Sequence, residues 1–94
     1  MKTETPATSA ALIADECEKI RDMLLAKSAA YGDSATSPMR IFSKANAEEQ
    51  ILVRIDDKLS RLARGSEAGE DTVLDLIGYL VLLRVARRRA RTGP

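Results

Sequence analysis

The segment EDTVLDLIGYLVLLRVARRRAR, residues 70–91, constrains the fold more than any other stretch of the chain. Its first four turns carry Val73, Leu74, Leu76, Ile77, Leu80, Val81, Leu82 and Leu83, which at about 100° per residue point in every direction around a helix rather than along one stripe. Such a helix needs apolar neighbours on several sides. The pattern predicts a buried central helix, or one shared between a core and a subunit interface. No run of about 18 apolar residues exists to cross a bilayer, and no alternating stretch is long enough to propose a strand.

Two further long helices are expected around it. Pro6 or Thr8 starts the first, on which Ile13, Cys17, Ile20, Leu24 and Tyr31 recur at helical spacing until Gly32 ends it. Asn46 followed by Glu49 resembles a capping box, and AEEQILVRIDDKLSRLAR then places Leu52, Ile55, Leu59 and Leu62 on one stripe before Gly65. Between them, DSATSP has turn chemistry and PMRIFSKA reads as a short helix opened by Pro38. The expectation is an all-α chain: a flexible tail over 1–6, then one domain over 7–94, a compact bundle of three main helices and one short one. At 94 residues a lone helical monomer is near the limit of independent stability, so a homo-oligomer is expected.

The totals exclude several kinds of chemistry. There is no histidine and one cysteine, so neither a Cys/His zinc site nor a Cys–His catalytic pair can be built. Cys17 shares a face with Ile13, Ile20 and Leu24, which reads as a core position. The net charge is +1, which gives no global drive toward nucleic acid or a membrane surface. The N-terminal stretch has no long apolar segment behind Lys2, so a cytoplasmic location is expected. Arg84, Arg87, Arg88, Arg89 and Arg91 crowd the last helix end, where the helix dipole favours cations.

Candidate functional residues gather at helix ends and on odd faces. Glu16 and Lys27 are charges set within the apolar stripe of the first helix. Lys27 and Tyr31 stand one turn apart on one face, with Gly32 allowing a sharp exit and Asp33 following at once. A cation beside a ring suits a phosphate and a base. On the middle helix, Asp56 and Asp57 flank the stripe on one side and Lys58 and Arg61 lie near its other side. On the last helix, Asp71 and Asp75 share a face with Gly78 and Leu82. Asp71 fits a first-turn acid, whereas Asp75, a turn deeper in an apolar helix, needs a partner. Lys27, Lys58, Arg61 or a divalent metal held by several carboxylates would serve.

The order Glu16, KSAAYGDS, RIDDKLSRL, EDTVLDLIGYLVLL, spanning about residues 16 to 83, resembles the phage nucleotide-modification-associated domains, which in turn look like relatives of the MazG-type all-α nucleoside triphosphate pyrophosphatases. The resemblance implies a compact helical oligomer, a phosphorylated nucleotide as ligand and a place in phage–host nucleotide chemistry, with the host cytoplasm as the compartment. MazG-type enzymes hold magnesium with an E-x-x-E pair and an E-x-x-D pair. Here Ser60 stands where the last acid of the first pair would fall, and Thr72 replaces the glutamate of the second, with Asp71 one residue earlier.

Three functions follow. One is a magnesium-dependent pyrophosphohydrolase, with Asp57, Asp71 and Asp75 on the metal and Lys27 on the phosphates. The second is a nucleotide-binding protein that sequesters its ligand uncut, for instance a cyclic immune signal made by the host, through Lys27, Tyr31, Asp33, Lys58 and Arg61. The third is a helical protein-interaction module. The incomplete acid set favours the second, and no catalytic residue is assigned.

Overall fold

A computed structural model describes residues 7–32, 46–65 and 69–92. These form three helices, α1 (Ser9–Tyr31), α2 (Ala47–Arg64) and α3 (Thr72–Thr92), with no strand among the described residues. The tail over 1–6, the short helix expected from PMRIFSKA and Asp33 lie outside them.

Local chemistry sets the helix ends. Thr8 caps α1, its Oγ1 accepting from the Ala11 N–H at 3.1 Å, and Gly32 closes it at φ 64°. Asn46 caps α2, its Oδ1 accepting from the Glu49 N–H at 2.8 Å. Glu48 and Glu49 complement the dipole in the first turn and Arg61 and Arg64 in the last. Gly65 ends α2 in the left-handed region, φ 68°, where its N–H reaches the carbonyls of Arg61 and Leu62. Asp71 precedes α3 and its Oδ1 accepts from the Leu74 N–H at 3.0 Å, so this acid is a cap rather than a first-turn residue.

α2 and α3 pack as an antiparallel hairpin, pinned at one end by Glu48 with Arg87 and at the other by Arg61 with Glu70. Between those pins Ile51, Ile55, Leu83 and Ala86 are buried, with Ala47, Leu76, Tyr79 and Leu82 packed against them. The buried line of α2 therefore runs through Ile51 and Ile55, and the expected stripe is rotated: Leu52 is 39% and Leu59 49% exposed. Among the described helices only α3 touches α2, so a narrow band suffices, and Lys58, one turn beyond Ile55, falls within it. Thr72 is fully buried at the start of α3, and its hydroxyl has no hydrogen-bond partner among the described residues.

α1 has no buried residue and makes no contact with α2. It meets α3 around Gly78, where a Cβ would lie 3.2 Å from the Met23 Cε and 3.4 Å from a Leu24 methyl. The missing side chain at Gly78 is what lets these two tips approach. α3 is thus central in touching both other helices, although Val73, Leu80 and Val81 keep an exposed apolar flank. Cys17 is exposed, not in the core, because the α1 stripe extends past what α3 covers.

Candidate functional site

Two groupings of polar side chains flank α3. The first lies in the α2–α3 seam. Lys58, whose side chain is only 12% exposed, places its Nζ 3.4 Å from Glu70 Oε2 and 3.4 Å from Asp75 Oδ2. Arg61 reaches the same Glu70 oxygen at 2.7 Å through Nη1, and Asp57 at 3.4 Å through Nε. Two cations thus hold three carboxylates. Asp75 finds its partner in Lys58, and the charge on α3 that looked out of place is half of a link between helices.

The expected metal carboxylates do not converge. Asp57 is paired to Arg61, Asp75 to Lys58, and Asp71 caps α3. Among the described residues no group of three or more potential ligands could hold a metal ion. The donor set, already committed to cations and a helix N-terminus, does not fit a magnesium site.

The second grouping lines a groove of about 740 Å³ between α1 and α3. Its walls are mostly aliphatic, with Ile20, Leu24, Val81 and Leu82 among them, and its volume is that of a small-molecule pocket. Lys27 and Tyr31 both border it, as the shared face of α1 predicts, and Asp75 borders it from α3. Both α1 residues are exposed, Tyr31 by 73%, so they form a rim rather than a floor. Lys58 and Arg61 do not line it; they serve the seam on the other side of α3.

Two arginines complete the rim that sequence reasoning left unassigned. Arg21 lies one turn from Cys17 and from Leu25, both of which line the groove. Arg89 continues the line Asp75, Gly78, Leu82, Val85. Extending the noted Asp75–Gly78–Leu82 face by two more turns would have found Arg89. Arg21 is shared with Glu18 at 3.6 Å and Asp22 at 3.0 Å.

No protein-family model matches the sequence, and neither curated proteins nor solved structures match it.

Proposed function

We propose that the chain holds a phosphorylated nucleotide in the α1–α3 groove and does not cleave it. One observation carries this reading: Lys27 and Tyr31, an ammonium and a phenol ring, border the same apolar groove, with Arg89 on its facing wall. An aliphatic cleft accepts the base and sugar, the ring offers a stacking face, and the cations meet phosphate. The resemblance to phage nucleotide-modification-associated domains adds the setting, sequestration of a nucleotide such as a cyclic immune signal of the host. Lys58 supports the groove from behind by fixing Asp75, and Arg61 holds Glu70 beside it, rather than touching the ligand. The engaged carboxylates are what favours binding over the pyrophosphohydrolase reading.

The test is a titration calorimetry and thermal-shift series over mono-, di-, tri- and cyclic nucleotides, with and without magnesium, followed by product separation. At least one nucleotide is expected to raise the melting temperature and be recovered intact. Lys27→Ala and Tyr31→Ala should each weaken binding at least about fivefold with helicity unchanged, about 1 kcal/mol or more. Release of pyrophosphate would replace sequestration by hydrolysis. Silence across the whole series would leave the helical interaction module, which the absence of any buried residue in α1 favours.

A further inference from the structure

Large apolar side chains stay exposed on the side of the hairpin turned away from α1. Leu52 and Leu59 are 39% and 49% exposed on α2, and Val73 and Leu80 are 49% and 44% exposed on α3. Each pair is seven residues apart, which places it on one line of its helix. The ion pair of Glu48 with Arg87 shows that the two lines share a side of the hairpin. Glu48 stands one turn before Leu52 on its line, and Arg87 two turns after Leu80 on the other. Lys58 and Asp75 join the opposite side, where Asp75 borders the α1–α3 groove. None of Leu52, Leu59, Val73 and Leu80 lines that groove, and α1 packs on α3 around Gly78 instead.

The charges along the outer edges of this face are sorted by helix. Glu49 and Asp56, also seven residues apart, are exposed beyond the Leu52–Leu59 line of α2. Arg84 and Arg88 are exposed beyond the Val73–Leu80 line of α3. Among the described residues none of these four side chains takes part in an ion pair. The face therefore has an apolar middle, an acidic edge on α2 and a basic edge on α3.

We propose that this face joins two copies of the chain, stacked about a two-fold axis that runs parallel to the helices. α2 of each protomer then lies on α3 of its partner, and every residue keeps its height along the bundle. Within the hairpin Glu48 is level with Arg87, and Lys58 with Asp75. Leu52 accordingly meets the partner's Leu80, Leu59 meets the partner's Val73, and Glu49 comes level with the partner's Arg84 and Arg88. Each helix runs antiparallel to both neighbours, as in an up-down four-helix bundle. Turning the second copy end over end would instead lay acidic edge on acidic edge and basic on basic. The face carries both halves of each charged contact, which selects a second copy as its occupant. The α1–α3 groove stays open on the far side of α3, so the inference goes beyond the nucleotide reading and stands without it.

Sedimentation equilibrium of the full chain without nucleotide, from micromolar to hundreds of micromolar, tests the pairing. The wild type should form a dimer. Glu49→Arg and Arg84→Glu should each weaken it at least about tenfold, and the double variant should return to within about threefold of wild type, with helicity followed by circular dichroism. A monomeric wild type, single variants that associate normally, or a double variant as weak as the singles would overturn the proposal. Cross-linking tests the register without changing charge. With Cys17→Ser as background, Leu59→Cys combined with Val73→Cys should oxidise to a covalent dimer, because each new thiol faces its counterpart across the interface. Within one chain both positions point away from the seam, about 10 Å apart, beyond disulfide reach. Either cysteine alone should leave the chain uncoupled. No covalent dimer from the paired variant, or equal coupling by the single ones, would contradict the stacking.

Discussion

The α2–α3 hairpin and α1 are built from similar residue types, yet they hold together by different means. In the hairpin, apolar positions and charges meet counterparts: Ile51 and Ile55 meet Leu83 and Ala86, Lys58 meets Asp75, and Arg61 meets Glu70. In α1 the charges mostly pair within the helix, Lys19 with Asp15 and Arg21 with Glu18, and Met23 and Leu24 reach α3 around Gly78. A helix is therefore not made part of a core by having a stripe; a facing element must run alongside it. What α1 gains instead is a wide groove against α3, and that groove holds the residues with ligand chemistry.

The largest effect expected from this contrast lies in the hairpin core. Ile55→Ala should lower stability by about 2–4 kcal/mol in urea unfolding, whereas Ile13→Ala, from a side chain 62% exposed, should cost less than about 0.5 kcal/mol at concentrations where the chain is monomeric. Equal losses would remove the distinction between the regions. Next comes the seam. Lys58→Ala leaves Asp75 and part of Glu70 unpaired and should cost about 1–2 kcal/mol, below the value for a fully buried pair because the carboxylates are partly exposed. Combining it with Asp75→Asn should cost less than the sum of the two single changes. The smallest global effect concerns the caps. Asn46→Ala should cost about 1 kcal/mol of overall stability, while Thr8→Ala should fray the first turns of α1 and leave the unfolding midpoint of the hairpin nearly unmoved.

Much of this architecture was legible in the sequence. Helix ends at Gly32, Asn46 and Gly65 are legible, and the start of α1 to a choice between Pro6 and Thr8, because capping is decided by residues within a turn of one another. That Lys27 and Tyr31 share a face follows from helical spacing, whereas the groove they border is made by the approach of α3. Which face of a helix is covered was not legible, because that depends on the neighbour. The α2 stripe turned toward Ile51, and Cys17 was left exposed, for that reason. The same limit explains Lys58 and Arg61. Their charge suited a ligand, and only the approach of α3 shows that Glu70 and Asp75 meet them first.

With a nucleotide in the groove as proposed, α1 takes its order from that ligand, while the hairpin keeps its own. Hydrogen exchange of the backbone amides, followed at low protein concentration with and without a nucleotide that scores in the thermal-shift series, tests this most directly. Protection should rise across residues 20–31 of α1 on adding the nucleotide, with the amides around Ile51 and Ile55 already slow and changing little. Uniform protection of all three helices, or protection confined to α2, would contradict it.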